Sequence, residues 1–198
     1  MKKTLLISGF PAVGKTHFQS SSKLKVLDSD SSKFDKNYFP DNYIKHIKNN
    51  MGLVDIILIS SHDLVREALI NEGLKFVLVY PNIELKDEYI DRYIKRGSPN
   101  GFIDLVSSNW NDWILQLKNQ DGCLKFELNT EQYLGEVVNE LMEKQNDMKN
   151  RIPRKLKKKL KTQGLYSDGV SMYHCFACQK RINGYGYNMY LCEKCYKN

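Results

Sequence analysis

Short apolar runs alternate with amphipathic stretches along the first 145 residues of the chain. The runs span residues 4–8, 24–27, 54–59, 76–80 and 124–128. The third and fourth runs are continuous, which is typical of strands buried on both faces. Strands that alternate with helices favour a parallel, doubly wound sheet, so the pattern predicts an α/β domain with five parallel strands.

Helices are predicted in the intervals between the strands. They cover a stretch from Lys15 to about Ser21 and residues 38–50, 62–72, 84–96 and 102–117. We expect Trp110, Trp113 and Leu117 to anchor the core. Thr130 is expected to cap a last helix that runs to about residue 145 and turns Tyr133 inward.

The segment after the first strand matches the P-loop pattern G-x-x-x-x-G-K-[ST] in full. It reads Gly9-Phe10-Pro11-Ala12-Val13-Gly14-Lys15-Thr16. Gly9 and Gly14 allow the backbone to curl around a phosphate, and the loop amides, those of Ala12 and Val13 included, point at the anion. Lys15 is predicted to neutralise the β- and γ-phosphates, and Thr16 to offer its hydroxyl to Mg²⁺. The loop therefore predicts ATP binding, since the guanine-reading N-K-x-D motif is absent from the sequence.

Two aspartates end the second predicted strand. Ligands of parallel sheets bind beyond the carboxyl ends of the strands, which is where Asp28 and Asp30 lie. Their spacing puts both on the same side of an extended segment. We expect Asp28 to support Mg²⁺, directly or through water, and Asp30 to accept a proton from an attacking hydroxyl or to hold an acceptor in place. The alternative is a pair of acidic turn residues.

The third predicted strand lacks an acid at its carboxyl end, where a P-loop enzyme usually carries one. Asp55 lies at the opposite end, and Ser60, Ser61 and His62 follow the strand instead. These three residues are candidates for holding water, metal or substrate. A helix-capping role for Ser61 is equally compatible with the sequence.

Arg92 and Arg96 share one face of the predicted helix at residues 84–96, with Lys95 beside them. Arginines placed just before a Gly-Ser-Pro break favour a mobile lid that stabilises charge on a transferring phosphoryl group. The alternative is a solvated helix in which Glu88 pairs with Arg92.

The positive charge is concentrated in the C-terminal quarter. Residues 1–145 carry 18 Lys and Arg against 20 Asp and Glu, whereas residues 146–198 carry 12 against 3. This asymmetry indicates nucleic acid as a possible partner of a basic linker at residues 146–163, with a solubilising tail as the alternative.

Residues 164–198 contain two C-x-x-C pairs, which are Cys175 with Cys178 and Cys192 with Cys195. Four cysteines at this spacing predict a closed, tetrahedral and structural Zn²⁺ site in a zinc-ribbon module. The function of this module stays open between binding nucleic acid, a protein partner or the first domain.

Residues 1–145 resemble the small P-loop kinases of the nucleoside monophosphate kinase and shikimate kinase group. The resemblance is carried by the loop, by Asp28-x-Asp30 and by the helix with Arg92 and Arg96. It is strongest to small phage-encoded nucleotide kinases. It implies the sheet order 2-3-1-4-5, a phosphate- and Mg²⁺-binding role for Lys15 and Thr16, an acceptor-facing Asp30 and a lid with both arginines.

Three functions are compatible with these features. The first is ATP- and Mg²⁺-dependent phosphoryl transfer to a (deoxy)nucleoside monophosphate, and the second is transfer to a polynucleotide 5′-hydroxyl. The third is a nucleotide-gated binding protein without catalysis.

No apolar run approaches the ~20 residues of a membrane helix, and the apolar stretch after Met1-Lys2-Lys3 is too short for a signal peptide. We therefore expect a soluble, cytoplasmic protein, located in the host cytosol if it is phage-encoded.

Overall fold

The computed structural model describes the backbone of residues 4–150 and the side chains of residues 4–143. A compact unit, Met1–Asn139, contains the sheet. Its strands are β1 Leu5–Gly9, β2 Val26–Asp28, β3 Ile56–Ser60, β4 Val77–Pro81 and β5 Leu124–Leu128. All neighbouring strands pair in parallel, in the order β2-β3-β1-β4-β5. The expected α/β class and strand order are confirmed.

Helices follow each strand at bounds that differ slightly from the predicted ones. They are α1 Lys15–Ser21, α2 Asp41–Asn50, α3 Asp63–Asn71, α4 Lys86–Lys95, α5 Asn100–Lys118 and α6 Leu134–Asn150. The helix predicted at residues 38–50 begins late because Pro40 disfavours helical backbone in the residue before it. Single 3₁₀ turns at Lys36–Tyr38 and Ile83–Leu85 replace the first turns predicted for α2 and α4.

The core lies on both faces of the central strands, and every residue of β1 and β4 is buried. Trp110 and Leu117 anchor α5 as expected. The expectation for Trp113 was wrong: it is only half-buried, and Ile114 is buried in its place. Positions 110, 114 and 117 form one face of a helix of period 3.6, which leaves position 113 at the flank.

The expected start of the last helix was also wrong. The helix begins at Leu134, and Thr130 is exposed and lies before it. Glu136 accepts a hydrogen bond from the Tyr133 backbone N–H (3.0 Å), so the start is capped from inside the helix. Tyr133 is 42 % exposed and does not turn into the core.

Within residues 4–150, no helix is long and apolar enough to cross a membrane. Residues 151–198 lie outside the described part of the chain, and so do Met1-Lys2-Lys3. The predictions of a basic linker and of a zinc site at Cys175, Cys178, Cys192 and Cys195 therefore stay predictions.

Candidate functional site

A cleft of about 680 Å³ opens at the carboxyl ends of β1, β2 and β3. One side, which we name the loop wall, consists of the residues of segment 9–16 that line the cleft, together with Arg92, Lys95, Arg96 and Tyr133. The opposite side, which we name the strand-exit wall, consists of residues 28–31 with Ser60 and Ser61. The lysine and arginine side chains of the described residues that line the cleft all belong to the loop wall, whereas the strand-exit wall presents two carboxylates and four serines.

The loop wall has a backbone that needs its glycines. Gly14 adopts φ +92°, and a Cβ there would come within 3.2 Å of the Tyr133 ring. A Cβ at Gly9 would lie 3.0 Å from the Val13 side chain. Ala12 is left-handed as well, at φ 64°, an unfavourable backbone that clusters at functional sites. The backbone of the loop therefore depends on glycine at positions 9 and 14.

Lys15 lies inside the loop. Its Nζ donates to the carbonyls of Gly9 (2.5 Å) and Phe10 (3.1 Å). Burial lowers the pKa of Lys15 to about 8, while Asp28 opposes the shift. A phosphate near this ammonium would favour the charged form, so the side chain suits anion binding.

Thr16 and Asp28 join the two walls. The Thr16 hydroxyl donates to Oδ2 of Asp28 at 3.0 Å, across the gap between α1 and the end of β2. Residue 28 is the last of its strand, so the sheet brings the carboxylate to the loop. An alcohol and a carboxylate at this distance are oxygen ligands of the kind that Mg²⁺ binds.

Asp30 lies at the same strand exit and is exposed. Its Oδ1 accepts from the backbone N–H of Ser32 (2.9 Å) and caps the short 3₁₀ turn Ser31–Lys33. This hydrogen bond lowers the pKa of Asp30, so the side chain is a carboxylate at neutral pH. The acidic turn that the sequence offered as an alternative is therefore present in the structure. The Asp30 carboxylate lines the cleft all the same.

The exit of β3 is fixed by a buried arginine that sequence reasoning did not select. Arg66 is 6 % exposed, and its guanidinium donates to the Ser61 carbonyl and to Oε1 of Gln120 (2.8 Å). Ser61 does not cap α3, whose N-cap residue is His62. The His62 ring is exposed, and its Nδ1 lies 2.5 Å from Oδ1 of Asp63. No local sequence pattern distinguishes Arg66, because Gln120 is 54 positions away and the nearer partner is a backbone carbonyl, which any residue at position 61 would supply.

Arg92 is tied into the structure behind the loop. Its side chain is 9 % exposed and pairs with Glu88. The sequence offered this pairing as an alternative on a solvated helix, but here the arginine side chain is largely shielded from solvent. The guanidinium also donates to the carbonyls of Ala12 and Gln132 (both 3.2 Å). It lies 3.9 Å from the centre of the Tyr133 ring. Arg92 therefore holds the P-loop against the segment before α6. Tyr133, which we expected in the core, lies in the site instead.

Arg96 differs from Arg92. It is exposed, donates from Nε to the Ser98 hydroxyl (2.7 Å) and lies over the Tyr93 ring at 4.8 Å. Arg96 lines the cleft just after the end of α4, beside Lys95, and of the two arginines predicted for a lid it is the exposed one.

The fold and the loop define an α/β protein with a glycine-rich, P-loop-type segment between its first strand and first helix. No protein-family model matches the chain, and no curated protein matches it significantly.

Proposed function

We propose that the chain is a kinase that transfers the terminal phosphoryl group of ATP, with Mg²⁺, to a small nucleotide. The observation that carries the proposal is the contact of Thr16 with Asp28, located beside Lys15 at the end of the loop. It combines an anion-binding loop, a cation and a pair of oxygen ligands in one cleft, as phosphoryl transfer requires.

The loop wall supports the donor role. Loop amides and Lys15 would bind the β- and γ-phosphates, and Arg96 would add a positive charge near the transferred group. Four of the cleft-lining side chains on this wall are cationic: Lys15, Arg92, Lys95 and Arg96. A triphosphate is the anion class that this wall suits, because its charge is spread over several adjacent groups.

Thr16 and Asp28 are the residues that would hold Mg²⁺. The described residues contain no group of three or more His, Cys, Asp or Glu side chains that could hold a metal. Mg²⁺ commonly binds one or two protein oxygens together with phosphates and water, so two protein ligands would suffice for the proposed ion. When bound, the ion would neutralise charge on the triphosphate. In this arrangement Asp28 replaces the acid that is missing after β3.

The strand-exit wall supports an acceptor role. Asp30 would accept the proton of an acceptor hydroxyl, or would hold a nucleotide acceptor in place through its hydroxyl groups, and the serines would donate hydrogen bonds. A (deoxy)nucleoside monophosphate is the first candidate acceptor. The second candidate is a polynucleotide 5′-hydroxyl, since an uncharged hydroxyl is not repelled by Asp28 and Asp30.

A matched acceptor screen tests the proposal. ADP release is measured with each nucleoside, with its 5′-monophosphate and with oligonucleotides that end in a 5′-hydroxyl, and Lys15→Ala serves as the inactive control. Stimulation by one acceptor class is expected. If ATP binds but no acceptor raises ADP release above the background, the kinase proposal gives way to a nucleotide-gated binding protein.

A further inference from the structure

One buried hydroxyl lies between the ends of β2 and β3. It belongs to Tyr43 of α2, a residue with no exposed surface. Tyr43 Oη donates to the Ser29 carbonyl (2.5 Å) and accepts from the Ser60 backbone N–H (3.1 Å). The side chain thus connects two strand ends through backbone groups that are 31 positions apart in the chain.

The hydroxyl occupies the place of a sheet hydrogen bond. β2 and β3 pair in parallel up to Asp28 and Leu58, and the Ser29 N–H still donates to the Leu58 carbonyl at 2.9 Å. In a regular parallel ladder, the next bond would join the Ser60 N–H directly to the Ser29 carbonyl. Tyr43 Oη lies between these two groups, so the strands separate here by the width of one hydroxyl.

This separation affects the site because of what lies on either side of it. Ser29 is flanked by Asp28 and Asp30, whereas Ser60 pairs with Gly9, the first residue of the P-loop. The Ser8 hydroxyl also donates to the Ser60 carbonyl (3.1 Å). The inserted hydroxyl is therefore part of a continuous chain of hydrogen bonds from the acidic segment to the strand that bears the loop.

The ring of Tyr43 is held firmly in place. Phe34 packs against it edge-on with centroids 4.9 Å apart, and Phe39 lies 5.8 Å away. Burial raises the pKa of Tyr43, so the hydroxyl stays protonated and able to donate at physiological pH.

We propose that Tyr43 is a positioning residue, whose hydroxyl sets the distance between the acidic segment and the P-loop so that Asp28 meets Thr16. The proposal rests on the Mg²⁺ site of the proposed function, and it does not depend on the identity of the acceptor. Tyr43 contacts neither nucleotide nor metal in this account; it acts through Ser29 and Ser60.

Tyr43→Phe tests the proposal, because it removes the hydroxyl and keeps the ring. Nucleotide affinity is measured as a function of Mg²⁺ concentration and again with the metal chelated. We expect the Mg²⁺ concentration for half-maximal affinity to rise about tenfold, while metal-free affinity, which depends on the loop amides and Lys15, stays within about twofold. A purely structural role would lower stability and leave the Mg²⁺ requirement unchanged.

Tyr80→Phe is the matched control, since Tyr80 is a buried tyrosine on β4, away from the exits of β2 and β3. Its Mg²⁺ requirement should equal that of the wild type. Ser8→Ala is a second arm that leaves Tyr43 intact, and it should shift the requirement in the same direction by a smaller factor.

The proposal is overturned if Tyr43→Phe folds with an unchanged Mg²⁺ requirement. It is also overturned if that variant does not fold and Ser8→Ala leaves the requirement unchanged, or if the affinity of the wild type is independent of Mg²⁺. Because no acceptor enters these measurements, a failed acceptor screen would refute the kinase proposal alone.

Discussion

The two walls of the cleft are built in opposite ways. The loop wall comes mainly from eight consecutive residues that bond to one another, and α4 adds its cations. The strand-exit wall combines the ends of two strands that the sheet and Tyr43 bring together, and Arg66 holds the exit of the second of them, β3. A local motif can therefore be recognised in the sequence, whereas a wall assembled from distant segments needs the fold to be seen.

Lys15→Ala should produce the largest effect, because it removes the charge of the loop wall that lies closest to the predicted phosphates. Loss of one charge-assisted hydrogen bond corresponds to about 10–100-fold in ATP affinity, and loss of transition-state stabilisation to about 10²–10³-fold in turnover. Together kcat/KM should fall by about 10³–10⁵-fold, measured by calorimetry and by acceptor-dependent turnover. An unchanged ATP affinity in Lys15→Ala would show that the loop wall does not bind the phosphates of ATP.

Asp30→Asn should affect only the strand-exit wall. The substitution is nearly isosteric and removes one negative charge, so ATP binding should persist or tighten. Phosphoryl transfer should fall by about 10²–10⁴-fold, the usual range for a lost general base.

Asp28→Asn is the variant to compare with Asp30→Asn, because it makes the same change two positions away. It should raise the Mg²⁺ requirement, because its carboxylate contacts Thr16. Transfer at the wild-type rate by Asp30→Asn would show that the base has been assigned to the wrong residue.

The pH dependence of ATP binding gives a smaller effect. Lys15 has a pKa of about 8 in the free protein because burial disfavours its charged form. Phosphate binds the protonated ammonium, so affinity should fall by about twofold from pH 7 to pH 8 and by about tenfold in all by pH 9. Titration by calorimetry from pH 7 to 9 checks this, and Lys15→Ala should show a flat profile over the same range.

The smallest effect on the cleft should come from the C-terminal cysteines. We propose that Cys175, Cys178, Cys192 and Cys195 bind one Zn²⁺ per chain. Cys192→Ser should lose the metal in elemental analysis while ATP affinity stays within about twofold, because both walls belong to residues 9–96 with Tyr133. A full equivalent of zinc in this variant would exclude the four-cysteine site.

The sheet and the loop wall could be predicted from the sequence because their signals are local. Continuous apolar runs identify buried strands, and the P-loop spacing identifies the phosphate site. The strand-exit wall was predicted only in part. Asp28 and Asp30 stand out as charges after an apolar run, whereas Tyr43 and Arg66 look like ordinary residues of amphipathic helices.

Tyr133 shows the same limit at α6. An aromatic residue near a predicted helix start resembles a core anchor. The helix begins one residue after it, so the ring instead lies beside Gly14 and over Arg92. The chain enters the helix through Glu131, which has a left-handed backbone at φ 59°, and a non-glycine residue in this conformation has no distinct sequence signature.

Transfer of label from ATP tests the central claim most directly. ATP labelled in its terminal phosphate is incubated with Mg²⁺, the wild-type chain and the acceptor classes of the matched screen, and the products are separated. The account predicts label covalently attached to one acceptor class, lost in Lys15→Ala and strongly reduced in Asp30→Asn. Label found only in unreacted ATP or in inorganic phosphate, with every acceptor, would contradict it.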